Sequence, residues 1–169
     1  HVNGRYIAFL DSDDLWIKEK LAIQIDFMQK NKVPISFTSY AFIDVLGNDL
    51  NKIVIANSNV NYFGYLKNTI IGMSTSMIDR SIVSKIKFKD IRTRQDTYLW
   101  ISLLKTGLIA YAIDVVLVKY RYRKNSISSN KFKAAKQVWR LYYDFENLGF
   151  FKSFYYFLFY IFNAILKRL

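Results

Sequence analysis

The chain has 169 residues, with 52% apolar and 18% aromatic residues, no cysteine, one histidine and a formal net charge of +12. This apolar content excludes intrinsic disorder and is enough for one domain with a hydrophobic core. The absence of cysteine excludes disulfides and thiolate metal sites. A histidine-based catalytic triad is excluded as well, because His1 is the only histidine. Any general base must therefore be a carboxylate, and any metal must be held by oxygen.

The hydrophobic pattern predicts strands alternating with helices. We predict strands over residues 5–10, 35–44, 52–56, 73–78 and 109–122, and helices over residues 18–31, 62–68, 96–105, 131–147 and 152–168. Pro34 prevents the first helix from continuing, and Gly107 ends the third. This order predicts an α/β domain with a helical C-terminal tail.

The excess of basic residues has two explanations. It suits an anionic partner such as nucleic acid, anionic lipid or a phosphorylated substrate. An AT-rich genome would also supply Lys, Asn, Ile, Phe and Tyr in excess, so the charge alone does not identify a partner.

Three carboxylates follow the first predicted strand, in the segment Asp11-Ser12-Asp13-Asp14. Such a cluster repels itself unless a positive group lies within it. A divalent cation held by oxygen ligands is one answer, and the end of a strand in an α/β sheet is a usual ligand site. The alternative is a solvated acidic turn in which Asp14 caps the next helix.

Two further segments carry candidate chemistry. Asp96 lies where the third helix should begin, so it is either the N-cap or a general base held by a rigid helix start. The segment Tyr120-Arg121-Tyr122-Arg123-Lys124, followed by small polar residues, suits a loop that closes over a diphosphate. It also suits a solvated basic loop or a patch for anionic lipid.

Together, these segments resemble family 2 glycosyltransferases with the GT-A (Rossmann-like) fold. Residues 4–16, followed by Lys20-Leu21, resemble the strand and DxD segment of that family. Residues 95–100 are similar to its Glu-Asp motif, and residues 120–128 are similar to its closing loop. Their order and spacing match over residues 3–130.

The resemblance implies a metal-dependent, inverting transfer of sugar from a nucleotide-diphosphate sugar to a hydroxyl of a glycan or lipid-linked acceptor, in cell-surface polysaccharide synthesis. Asp13 would bind Mn²⁺ or Mg²⁺ on the diphosphate, and Asp11 would contact the ribose or help to hold the metal. Asp96 would deprotonate the acceptor hydroxyl. Together with Asp11 and Asp13, the residues expected to bind the donor diphosphate are Arg121, Arg123 and Lys124. We expect residues 68–77 and the tail to shape the acceptor site.

The sequence departs from the family pattern in three ways. Gln95 stands in place of the usual Glu, and Arg123 in place of a frequent His. The first half of the family domain, with the loops that hold the nucleotide base, would precede residue 1. We therefore predict that residues 1–130 are a partial GT-A catalytic domain, the C-terminal portion from just before the DxD motif, and that residues 131–169 are amphipathic and aromatic helices.

The tail is rich in aromatic residues and ends in Lys167-Arg168. Its apolar stretch, residues 154–166, is shorter than the about 20 residues that a spanning helix needs. We predict that residues 148–169 lie on an anionic membrane surface, peripherally on the cytoplasmic face of a bacterial inner membrane. The alternative is that the tail packs on the domain.

The charge and the aromatic content also suggest two other functions. A non-catalytic module that binds a membrane surface or a partner would explain the charge and the aromatic tail. Binding of single-stranded nucleic acid is not expected, because the aromatic residues concentrate in one helix instead of alternating with cations.

Overall fold

The computed structural model describes residues 3–91, 93–123 and 131–166. Six strands are present, β1 (Tyr6–Ala8), β2 (Leu15–Trp16), β3 (Ile35–Ile43), β4 (Asp49–Val54), β5 (Ser76–Asp79) and β6 (Ala110–Arg121). The helices are α1 (Lys20–Asn31), α2 (Tyr62–Lys67), α3 (Gln95–Leu104), α4 (Lys131–Arg140) and α5 (Gly149–Leu166). A 3₁₀ turn (Met73–Thr75) precedes β5, and a π-helical turn (Leu141–Phe145) follows α4.

The strands form one mixed sheet in the order β1-β5-β3-β6-β2, with β4 paired to β3. The pairing of β3 with β6 is parallel, and all other pairings are antiparallel. Strand β1 lies at the sheet edge and is only half-buried, although its apolar sequence predicted a buried strand. The domain is thus mixed α/β, as the sequence predicted.

The main hydrophobic core lies between the sheet and helices α2 and α3. Ile35 and Phe37 on β3 are fully buried, as are Leu99 and Trp100 on α3. Burying each of these side chains contributes about 1.5–3 kcal/mol to folding. The core therefore fixes α3 against the sheet, which sets the position of its N-terminus.

Strand β2 was not predicted, and two predicted elements change type along their length. The segment predicted as a strand over residues 73–78 begins with the 3₁₀ turn, in which the Thr75 hydroxyl donates to the carbonyl of Gly72 at 2.7 Å. The helix predicted over residues 131–147 changes to the π-helical turn after Arg140, where Leu141 and Tyr142 are both buried. The Tyr142 hydroxyl donates to the carbonyl of Leu66 at 2.7 Å and so ties this turn to α2.

The tail packs on the domain with one side and exposes the other. On the inner side, Tyr156, Phe157 and Tyr160 pack against the core, and Asn163 donates to the carbonyl of Lys67. The outer side exposes large apolar residues: Phe150, Phe151, Phe154, Tyr155, Leu158, Phe159, Phe162 and Ile165. Within the described residues, no helix has the length and apolar character needed to cross a membrane.

Candidate functional site

The acidic segment after β1 is a tight turn held by its third carboxylate. The Asp14 amide donates to the carbonyl of Asp11 at 3.1 Å. Asp14 itself is buried, and its carboxylate accepts hydrogen bonds from the Ser74 hydroxyl at 2.6 Å and from the Arg121 amide at 2.9 Å. The prediction that Asp14 caps the next helix is wrong, because α1 has Glu19 at its N-cap and Asp14 is committed to Ser74 and β6.

The other two carboxylates are less constrained. Asp11 is exposed, and its amide donates to the Ser74 hydroxyl at 3.0 Å. Although the residue is exposed overall, partial desolvation raises the pKa of the Asp11 carboxyl, and the nearby charges of Asp14 and Asp96 raise it further. Asp13 is partly exposed, and its carboxylate lies 3.4 Å from Nε of Arg123. A guanidinium therefore accompanies the acidic turn, as the mutual repulsion of its carboxylates requires.

Arg121 connects the acidic turn to the rest of the sheet. Its Nε donates to the carbonyl of Asp13 at 2.8 Å, and its NH1 donates to the carbonyls of Asp44 at 2.9 Å and Val45 at 3.0 Å. These bonds give Arg121 a structural role, and its predicted contact with the diphosphate stays a prediction. Lys124 lies outside the described residues, so its predicted role is also untested.

Asp96 is the second residue of α3 and does not cap it. The N-cap is Arg94, in the left-handed conformation with φ of 64°, and it makes no side-chain capping bond. The prediction of Asp96 as an N-cap is therefore wrong. The Thr97 hydroxyl lies 3.4 Å from the partly exposed Asp96 carboxylate. The side-chain amide of Gln95, the first residue of α3, donates to the carbonyl of Ile91 at 2.7 Å.

The acidic turn and the start of α3 meet at an open cleft with a volume of about 190 Å³. Asp11 and Asp96 both line it, so the fold brings two of the predicted site residues together. Its other walls are three tyrosines, a loop within the predicted acceptor segment and two residues at the start of α3: Tyr40, Tyr65, Tyr120, Thr69–Met73, Arg94 and Thr97.

Tyr40, Tyr65 and Arg94 were not predicted as site residues, and a functional role was predicted for Tyr120 only as part of a basic loop, whereas the structure places it in β6. Tyr40 and Tyr120 lie on the paired strands β3 and β6, with ring centroids 5.7 Å apart. Burial raises the pKa of Tyr120, as do the charges of Asp14 and Asp11. Alternation along β3 placed Tyr40 on one face of a strand, but the parallel partner that brings Tyr120 beside it has no signal in the local sequence.

A buried polar network supports the acidic turn from behind. Lys20 is fully buried, donates to the side-chain carbonyl of Gln24, and has its ammonium 4.4 Å from the centroid of the Trp16 ring. Gln24 donates to the carbonyl of Thr75 at 3.1 Å, and the Trp16 indole donates to that of Ser74 at 2.8 Å. Burial lowers the pKa of Lys20 to about 8. This network holds the Ser74 segment that anchors Asp14.

The oxygen ligands for a metal come from few residues. Within the described part of the chain, no three Asp, Glu or His side chains converge into a metal-binding cluster. Asp11 and Asp13 keep accessible carboxylates, whereas Asp14 is occupied by hydrogen bonds. Mg²⁺ is commonly bound through one or two carboxylates together with substrate phosphates. The residues thus fit a cation shared with a phosphorylated substrate.

The mixed α/β domain has a GT-A-like fold. A crystal structure of Staphylococcus aureus TarS 1-349 in complex with UDP-GlcNAc superposes with a TM-score of 0.59 at 14% identity, over 83% of this chain and 42% of that one. At this identity the likeness concerns the fold alone.

The family follows from the sequence comparison. The family model "Glycosyl transferase family 2" matches residues 1–87, and the chain belongs to this family. TuaG of Bacillus subtilis (strain 168), a glycosyltransferase assigned to teichuronic acid biosynthesis, is 48% identical over 98% of this chain and 66% of its own length. WfgD of Escherichia coli, a UDP-Glc:alpha-D-GlcNAc-diphosphoundecaprenol beta-1,3-glucosyltransferase, is 39% identical over 86% of this chain and 56% of its own length. The chain therefore spans less than two thirds of these relatives.

Proposed function

We propose that the protein transfers a sugar from a nucleoside-diphosphate sugar to a hydroxyl of a glycan or lipid-linked acceptor in cell-surface polysaccharide synthesis. The observation that carries this proposal is the cleft in which Asp11 of the acidic turn and Asp96 of α3 lie together. Family membership and relatives such as TuaG and WfgD support the same reaction class.

Asp96 is the general base of this proposal. Its carboxylate accepts the proton of the acceptor hydroxyl while that oxygen attacks the anomeric carbon of the donor. The bond from the anomeric carbon to the diphosphate oxygen breaks, and the nucleoside diphosphate leaves with the bonding electrons. A single displacement of this kind inverts the anomeric configuration. Nuclear magnetic resonance of the first product formed tests this point, because a retained configuration would exclude direct displacement.

Asp11 and Asp13 are the residues that would hold a divalent metal with the donor diphosphate. Such a metal would neutralise negative charge on the leaving group. Arg123, which lies beside Asp13, is a cation of the chain that would act on the same diphosphate. Arg123 cannot ligate a metal, so its contribution to phosphate binding is charge and hydrogen bonding.

Calorimetric titration with UDP and GDP, with and without Mn²⁺, tests the donor side of the proposal. We expect metal-dependent binding that is lost in Asp13→Asn, which keeps the size of the side chain and removes its charge. Asp26→Asn is the matched control, because Asp26 is exposed and, among the described residues, its carboxylate pairs with Lys30 on α1. If the Asp13→Asn variant of the full-length protein bound the nucleotide as tightly as the unmodified protein, this result would contradict the metal role of the acidic turn.

We also propose that the outer side of α5 lies on an anionic membrane surface, where a lipid-linked acceptor would be found. Phe151 is 86% exposed and Phe162 is 61% exposed, which is costly in water and favourable at a bilayer interface. Lys152, an exposed cation, belongs to the same helix. Its charge complements anionic lipid headgroups.

Co-sedimentation with phosphatidylglycerol vesicles tests this location. We expect Phe151→Ser/Phe162→Ser to lose most of the binding, while Leu46→Ser does not, since Leu46 is 84% exposed in the β3–β4 turn. Binding that is unchanged in the α5 variant would exclude this side as the membrane contact.

A further inference from the structure

Arg94 stands out among the residues that line the cleft. It adopts a left-handed backbone conformation, with φ of 64° and ψ of 26°, directly before α3. A residue other than glycine is strained in this region, and such strain persists where the surrounding structure imposes it, often at functional sites. Arg94 lines the cleft together with Asp96.

The guanidinium of Arg94 has little compensation. In the part of the chain that the structure describes, none of the ion pairs includes Arg94. Its one hydrogen bond there runs from NH2 to the Tyr160 hydroxyl and is long, at 3.4 Å. A partly buried cation without a paired carboxylate is suited to bind an anionic ligand.

The cleft wall at Arg94 is in contact with α5 through Tyr160, which lies on the inner side of that helix. The ammonium of Lys67 lies 5.5 Å and 5.1 Å from the ring centroids of Tyr155 and Phe159, and Thr69, two residues further on, lines the cleft. Within the described residues, the cleft wall at Arg94 and Thr69 therefore lies next to α5, whose outer side exposes aromatic residues.

We infer that Arg94 binds the diphosphate of a lipid-linked acceptor, with the acceptor hydroxyl at Asp96 and the lipid directed along α5. This inference rests on the proposed function. In a sugar-diphosphate lipid, one sugar ring separates the reacting hydroxyl from the diphosphate, and Arg94 and Asp96 lie two residues apart on one wall. A guanidinium forms two parallel hydrogen bonds with phosphate oxygens, which also orients the ligand.

The donor diphosphate offers the same chemistry, so the experiment must separate the two ligands. We would titrate the full-length protein with farnesyl diphosphate, with farnesol and with UDP plus Mn²⁺. The variants are Arg94→Gln, Arg94→Lys and the control Arg140→Gln, which removes an exposed arginine paired with Asp144 on its own helical segment. Thermal unfolding of each variant verifies that it is folded.

The inference predicts that the unmodified protein binds farnesyl diphosphate at least tenfold more tightly than farnesol. Arg94→Gln should lose at least tenfold in affinity for farnesyl diphosphate, because a charge-assisted hydrogen bond is lost. Arg94→Lys should recover part of that affinity. The affinity for UDP should change by less than twofold in every variant, and Arg140→Gln should bind all three ligands normally.

Two results would overturn the inference. One is farnesyl diphosphate binding that is absent in the unmodified protein or unchanged in Arg94→Gln. The other is an equal loss of UDP binding in Arg94→Gln, which would assign Arg94 to the donor. Failure of the proposed function looks different, since UDP would then not bind while the Arg94-dependent binding of farnesyl diphosphate persisted.

Discussion

The buried lysine behind the acidic turn should make the stability of the protein depend on pH in an unusual direction. Lys20 is fully buried, and burial lowers its pKa from 10.5 to about 8. Below pH 8 the amine is charged in the folded and unfolded states alike, and its desolvation destabilises the fold by a constant amount. Between pH 8 and 10.5 the folded state loses the proton first, so the free energy of unfolding rises with pH.

The magnitude follows from the two pKa values. Each unit of difference corresponds to about 1.4 kcal/mol, so the Lys20 contribution should grow by about 2.5 kcal/mol between pH 7 and pH 10. Lys20→Met removes the titrating group. Its lost contacts with Gln24 and Trp16 change stability by an amount that does not depend on pH.

Urea unfolding, followed by circular dichroism at pH 7, 8, 9 and 10, measures this contribution as the difference between the unmodified protein and Lys20→Met. Subtraction removes the titration of tyrosines, which acts in the opposite direction because their raised pKa values lower stability at high pH. Lys18→Met, which removes an exposed lysine, should keep the pH dependence of the unmodified protein. Parallel curves for the unmodified protein and Lys20→Met would refute the reasoning.

Two further predictions concern the supports of the site. Ser74→Ala removes the hydroxyl that donates to buried Asp14 and should lower the free energy of unfolding by about 2 kcal/mol in urea; Ser102→Ala, which loses only a bond within α3, should change it by less than half as much. Burial opposes ionisation of Asp79, but hydrogen bonds from Arg5 and Ser81 lower its pKa overall. Its stabilisation is therefore present above pH 3.8 and lost as the pH falls through the lower folded value. Asp79→Asn should remove this part of the acid dependence, and acid unfolding curves that coincide with those of the unmodified protein would contradict it.

Local sequence was sufficient for the elements that carry strong patterns. The alternation over residues 35–44 corresponds to β3 (Ile35–Ile43), and Pro34 separates it from α1 as expected. The long apolar run before Tyr122 corresponds to β6. These elements are determined by burial and by the backbone limits of proline, which act within a few residues.

The site depended on contacts that local sequence does not encode. The three carboxylates of the acidic turn are equivalent in the sequence, and only Ser74 and the β6 backbone select Asp14 for burial. Arg94, and not Asp96, is the N-cap of α3, and it adopts a left-handed backbone conformation. Residues other than glycine disfavour this conformation, so the local sequence does not predict it. The sequence thus predicted segments that line the candidate cleft, whereas the hydrogen-bond partners of each residue are determined by tertiary packing.

Sugar transfer by Asp96→Asn is the most direct test of the central claim. The full-length protein, its Asp96→Asn variant and the Asp26→Asn control would be assayed with nucleoside-diphosphate sugars and a lipid-linked acceptor, while UDP binding is measured in parallel. Loss of the general base should reduce turnover by roughly 10²–10⁴-fold and leave UDP affinity within twofold, because Asp96 acts on the acceptor hydroxyl. Transfer by Asp96→Asn at the rate of the control would contradict the account.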